Sequence, residues 1–93
     1  MNMYSIEPTP SDVCLELAGR LKIIRKQEKL SQSDLAERSG VSLGSLKRFE
    51  NSGKISLESL LKLAHLLGKL KEFENVLQID TSMKEIEKLF TNK

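Results

Sequence analysis

The sequence has few of the residues on which disulfide frameworks and membrane spans depend. It contains one cysteine, Cys14, which excludes an internal disulfide and a cysteine cluster for zinc. A lone cysteine is typical of a reducing compartment, so a cytoplasmic location is expected. No apolar run reaches the length of about 18 residues that a membrane-spanning helix needs. Residues 1–10 contain no basic residue, which argues against a signal peptide.

Aromatic residues are also scarce, with no tryptophan, one tyrosine and three phenylalanines. Large sheets draw on β-branched and aromatic side chains, whereas leucine, lysine, glutamate and serine dominate here. The 93 residues are enough for one domain. A domain of this size has a modest core and little room for a deep catalytic cleft. We therefore expect a single all-α domain.

Positive charge is concentrated in the middle of the chain. Residues 20–54 hold nine basic and four acidic side chains, whereas residues 1–19 hold three acidic and no basic ones. Residues 55–93 hold six of each. A basic segment of this kind is found on surfaces that face a polyanion, but an ordinary solvated face is an equally good interpretation of charge alone.

The chain is expected to begin with a flexible arm. Two prolines interrupt regular structure within residues 1–10, and Ser11 or Asp12 is the expected N-cap of a first helix that ends near Lys29. The apolar residues that recur at helical spacing along this helix are Val13, Leu17, Leu21 and Ile24.

Two short helices are predicted next, in quick succession. Ser31 and Asp34 have the spacing of a capping box, which opens a helix over residues 32–39. Gly40 supplies the left-handed conformation that ends it. Ser42 is the N-cap of the following helix.

The helix that Ser42 opens is predicted to run over residues 43–50. Two short helices joined by a tight turn containing glycine form a helix-turn-helix, here over about residues 31–51, and its second helix fits the major groove of DNA. Helical spacing turns Leu46 and Phe49 toward the core. The opposite side of the helix carries Leu43, Gly44, Lys47 and Arg48, with Ser45 at its margin.

These positions suit contacts with DNA. Arg48 can donate two hydrogen bonds to a guanine edge, and Lys47 can meet a base or a phosphate. Leu43 can contact a thymine methyl group, and Gly44 allows close approach. Gln32 opens the preceding helix, where its side chain and backbone N–H can hold a phosphate.

Three further helices are predicted. Ser56 caps a fourth helix that Gly68 ends, and a fifth spans about residues 70–78. The fourth is expected to bury Leu57, Leu60, Leu61, Ala64 and Leu67, and the fifth Leu70, Phe73 and Leu77. Ser82 and Glu85 form a capping box for a last helix within residues 79–93, with an apolar side of Met83, Ile86, Leu89 and Phe90. That side either closes the core or contacts a second copy or a partner.

No constellation of residues indicates catalysis. His65 is the only histidine, and no other candidate metal ligand lies near it in the sequence. Cys14 is interpreted as a core residue. Paired carboxylates and glycine-rich phosphate loops are missing from the pattern. We therefore expect no enzymatic activity, no cofactor and no metal.

The segment from Leu30 to Asn51, LSQSDLAERSGVSLGSLKRFEN, followed by ISLESLLKLAHLLG, resembles the lambda-repressor-like regulators of the XRE family. The resemblance spans about residues 21–67 and implies a five-helix bundle, here with an extra C-terminal helix. It also implies a homodimer on a palindromic operator that regulates transcription. The family's phosphate-binding glutamine corresponds to Gln32, and a buried ion pair of the family corresponds to Arg25 and Glu50. Its base-reading positions correspond to Ser42, Leu43, Gly44, Lys47 and Arg48.

The chain departs from the family's common pattern at Leu43 and Gly44, where polar residues are frequent. Its turn also reads Asn51-Ser52-Gly53, with the glycine one position late. The segment RFENSG, followed by ISLESLL, resembles regulators encoded beside HipA-like kinase toxins. This second resemblance implies an antitoxin that represses its own operon. The alternatives are a protein-interaction module that neutralises a toxin kinase, and a helix-turn-helix that is only a scaffold.

Overall fold

A computed structural model describes residues 7–79 and 87–90. Four α-helices and a 3-10 helix follow one another within residues 7–79, and the described residues contain no strand. The helices are α1 (Pro10–Gln27), α2 (Gln32–Ser39), α3 (Leu43–Ser52) and α4 (Leu57–Leu66), and the 3-10 helix is Leu70–Phe73. Residues 87–90 are also helical. The expected all-α helical bundle is confirmed for the described residues.

Helix α1 begins two or three residues earlier than the sequence indicates. Thr9, not Ser11 or Asp12, is the N-cap: its Oγ1 accepts a hydrogen bond from the N–H of Asp12 at 3.1 Å. The Asp12 carboxylate accepts one from the N–H of Thr9 at 3.0 Å, which completes a capping box. Pro10 does not interrupt the helix, because the first helical position needs no N–H and favours the fixed φ of proline.

The other end of α1 also differs from the prediction. The helix ends at Gln27, two residues before the expected Lys29. Lys29 takes a left-handed conformation with φ of 57°, and the N–H of Leu30 reaches back to the carbonyl of Arg25 at 3.1 Å. This turn leads directly into α2.

Helices α2 and α3 begin where the sequence predicts. Ser31 and Asp34 form the expected capping box, and Ser42 caps α3 by accepting from the N–H of Ser45 at 3.1 Å. Gly40 ends α2 with φ of 79°. Helix α3 does not end near residue 50, because the left-handed residue that stops it is Gly53.

In helix α4 and the segment after it, three residues expected to be buried are exposed: Leu57, Leu70 and Leu77. Ser56 caps α4 as predicted, but its first residue, Leu57, is 67% exposed, and Leu63 is fully buried instead. The expected fifth helix is only a 3-10 helix followed by turns. Phe73 packs on the core, whereas Leu70 is exposed and Leu77 is 93% exposed with φ of 59°, a conformation that α-helices do not continue through.

The core lies between α1, α2, α3 and α4. Its fully buried large side chains come from three of these helices and are Leu35, Leu46, Phe49 and Leu63. Ala18 and Ala36 are also buried, and such small residues let the helices approach closely. Helix α3 packs against both α1 and α2.

Two expectations concern residues outside this core. Cys14 is exposed, so its interpretation as a core residue is wrong. Leu89 and Phe90 are each 65% exposed and do not belong to the core cluster. The other residues of the predicted last helix, Ser82, Met83, Glu85 and Ile86, lie outside the described residues, as do residues 1–6 of the predicted arm.

None of the described helices has both the length and the apolar character that crossing a membrane requires.

Candidate nucleic-acid interface

Helix α3 has one face in the core and one in solvent. Leu46 and Phe49 are 0% and 1% exposed, and Val41 just before the helix is also buried. Gly44, Lys47 and Arg48 are exposed on the other face. The helix is therefore anchored along its inner side, while its outer side is open to a ligand.

Three cations lie on or beside this outer face. Lys47, Arg48 and Lys54 are exposed, and none of them forms an ion pair with the described residues. Some other surface cations are paired, for example Lys62 with Glu58 at 3.2 Å, whereas others, such as Lys26 and Arg38, form no ion pair with the described residues either. Unpaired cations gathered beside one helix attract a polyanion.

Not every predicted reading position is free. Leu43 is half-buried and packs on the core cluster, so it is less available for a thymine methyl group than expected. The Ser42 hydroxyl is occupied by the cap and also donates to Ser45 Oγ at 2.8 Å. A Cβ added at Gly44 would have nothing within 4 Å, so the surface there is open.

Gln32 lies at the first position of α2, as predicted, and its side chain already forms a hydrogen bond within the protein. Its Nε2 donates a hydrogen bond to Glu50 Oε1 at 3.0 Å. The residues are 18 positions apart in the sequence, and no local pattern links them, so sequence reasoning missed the contact.

Arg25 and Glu50 form the ion pair that the resemblance implies. Arg25 Nε and Nη2 donate to the two oxygens of the Glu50 carboxylate at 2.8 and 3.0 Å. The two side chains are only 8% and 2% exposed. Arg25 Nη1 also donates to the carbonyl of Leu30 at 2.9 Å, so the guanidinium joins α1, the turn before α2, and α3.

A shallow depression of about 290 Å³ lies between α3 and the start of α4. Its lining residues are Ser45, Arg48, Lys54, Ile55, Ser56 and Ser59. Lys54 is not among the residues that the sequence predicts to contact DNA. Its position in the basic segment, residues 20–54, is the one feature of the sequence that points to DNA contact, but only the fold brings Lys54 to the same depression as Arg48.

The described residues offer little for other chemistry. They contain no cluster of His, Cys, Asp and Glu that could hold a metal ion. The carboxylates of Asp12 and Asp34 have lowered pKa values, and in both cases the cause is hydrogen bonding within a helix cap, with Thr9 and Ser31 respectively.

Comparison with protein families matches residues 21–75 to the helix-turn-helix family. No curated protein and no solved structure gives a significant match. The matched segment runs from α1 to beyond the 3-10 helix and contains the whole of α2, α3 and α4. The chain therefore belongs to the XRE-type helix-turn-helix family of DNA-binding transcriptional regulators.

Proposed function

We propose that the protein binds a specific double-stranded operator as a homodimer and represses its own operon. The observation that carries the DNA-binding part of this proposal is the two-sided character of α3, with Leu46 and Phe49 buried and Lys47 and Arg48 exposed and without an ion pair among the described residues. Such a helix enters the major groove with its outer face toward the bases. In a dimer on a palindromic site, the two copies of α3 would lie about 34 Å apart.

The side chains divide into two roles in this proposal. Arg48 reads a guanine edge, and Lys47 contacts a base or a phosphate. Gln32 at the start of α2 and Lys54 just after α3 hold the phosphate backbone and orient the protein. Ser42, Leu43, Gly44 and Ser45 line the approach to the bases, with Leu43 contributing less because it is half-buried.

Binding to DNA from upstream of the gene, and to a scrambled duplex of the same composition, tests the proposal. Sequence-dependent binding that weakens steeply with salt is the expected result, because phosphate contacts release counterions. Selection from a random duplex library would find an operator that lies elsewhere. Equal, weak binding to all duplexes would overturn the proposal.

Gly44→Ala separates DNA contact from folding. A Cβ there meets nothing in the protein, and alanine favours a helix by about 0.5–1 kcal/mol over glycine. The variant should therefore melt at the same temperature or higher, yet bind DNA less tightly if the duplex approaches Gly44 closely. The matched control is Gly19→Ala, since Gly19 also has open space around its Cβ position but lies on α1.

A second candidate function is neutralisation of a HipA-like kinase toxin. The supporting observation is apolar surface near the C-terminal end, where Val76, Leu77 and Ile79 are 58%, 93% and 52% exposed. Surface of this kind marks protein interaction sites when it is contiguous. Inhibition of a kinase encoded beside this gene would support the antitoxin role, and a gene neighbourhood without such a kinase would count against it.

A further inference from the structure

Gln32 and the Arg25–Glu50 ion pair form one connected unit. Glu50 Oε1 accepts two hydrogen bonds, from Arg25 Nη2 and from Gln32 Nε2, each at 3.0 Å. The Glu50 side chain is 2% exposed, and Gln32 is half-buried.

The chemistry of Glu50 determines which way the Gln32 amide faces. An ionised carboxylate only accepts hydrogen bonds, so the amide must present Nε2 and not Oε1 to it. The amide nitrogen carries two hydrogens, and one of them is donated in the hydrogen bond to Glu50. Without this contact, the amide could rotate and present its carbonyl oxygen, which a phosphate repels.

We propose that Glu50 is a positioning residue for DNA binding, because it holds the Gln32 amide with its second N–H available to a DNA phosphate. The proposal rests on the proposed function, in which Gln32 contacts the backbone. Arg25 neutralises the carboxylate, so a phosphate beside Gln32 meets no net negative charge. Glu50 belongs to α3 and Gln32 to α2, so the unit links the helix that reads bases to the residue that holds the backbone.

A double-mutant cycle on DNA affinity tests this coupling. In the wild-type background, Gln32→Ala should weaken binding about tenfold, the effect of losing one hydrogen bond to a charged group. In an Arg25→Met, Glu50→Leu background, the same substitution should change affinity by less than about twofold, because the amide is no longer oriented there. A buried ion pair replaced as a whole by apolar residues usually leaves a protein folded.

The outcomes separate the two proposals. An equal loss of affinity in both backgrounds would overturn the positioning role while leaving DNA binding intact. A wild-type protein that shows no preference for any duplex would overturn the proposed function itself. Gln27→Ala is the matched control, since Gln27 is an exposed glutamine at the end of α1, and it should not change affinity in either background.

Side-chain relaxation of the unmodified protein provides a second test, which does not depend on the Arg25→Met, Glu50→Leu variant. The Gln32 amide, assigned by its absence from the Gln32→Ala spectrum, should be ordered before DNA is added. An order parameter above about 0.6 supports the positioning role, and a lower value, typical of flexible groups, overturns it.

Discussion

Gly53 lies directly against Cys14. A Cβ added at Gly53 would come within 2.9 Å of both the carbonyl carbon and the Cβ of Cys14. Gly53 has φ of 77°, and it ends α3 by donating its N–H to the carbonyl of Phe49 at 2.7 Å. One glycine thus stops α3 and brings the following turn onto α1.

Substitution of Gly53 should destabilise the fold more than substitution of Gly40. Gly40→Ala meets no steric contact and should cost about 1–2 kcal/mol, the penalty for a left-handed residue with a Cβ. Gly53→Ala carries the same penalty plus about 1–3 kcal/mol for the clash with the Cys14 backbone. Thermal unfolding of the two variants measures the difference. Equal losses would show that α1 moves aside without cost.

Glu50→Ala should lower the free energy of unfolding by about 3–5 kcal/mol, because it leaves the buried Arg25 guanidinium without its carboxylate. Urea unfolding monitored by circular dichroism measures this. Glu58→Ala is the control, since its pair with Lys62 is exposed and should contribute about 1 kcal/mol or less. An unchanged midpoint for Glu50→Ala would contradict the structural role of the ion pair.

Arg48→Ala should relax sequence specificity, with a loss of about 1–3 kcal/mol at the base pair that Arg48 reads. Competition between the selected operator and its single-base variants measures this effect. Lys71→Ala removes an equal charge from the 3-10 helix and should preserve specificity. If Arg48→Ala weakened binding to every duplex by the same factor, Arg48 would be a phosphate contact instead.

The cap of α2 should make stability depend on acid pH. Hydrogen bonds from Ser31 lower the pKa of Asp34 below the usual value of an aspartate, about 3.9. A depressed folded-state pKa stabilises the protein above the unfolded pKa, and this stability is lost as the pH falls through the folded value. Asp34→Asn should therefore melt earlier than wild type at neutral pH, with a difference that shrinks below about pH 4. Glu37→Gln is the control, because Glu37 lies on α2 but is not part of its cap. If the melting temperature of Glu37→Gln differed from that of wild type with the same pH dependence as Asp34→Asn, the effect would not come from the cap.

The C-terminal apolar residues should act between molecules and not within the fold. Leu89 and Phe90 are each 65% exposed, so Leu89→Ser with Phe90→Ser should leave the melting temperature nearly unchanged while reducing oligomer size in sedimentation. Deletion of residues 81–93 should have the same effect. Lys88→Ser is the control for a change at an exposed neighbouring position. A large drop in melting temperature would instead favour closure of the core by this segment.

Several elements follow from short-range sequence patterns. The starts of α2, α3 and α4 depend on Ser31, Ser42 and Ser56, each of which caps the N–H three residues later. The end of α2 depends on the left-handed preference of Gly40. The start of α1 is also encoded locally, because Pro10 is compatible with the first helical position and does not break the helix there.

The sequence by itself determined the all-α character, the helix-turn-helix, and the inward turn of Leu46 and Phe49, because caps, left-handed glycines and helical periodicity act over a few residues. Only the tertiary structure decided that Leu43 is half-buried, that Leu77 is exposed, and that Gln32 meets Glu50. These features depend on how whole helices pack against one another. A contact between residues 18 positions apart arises from that packing and leaves no local pattern.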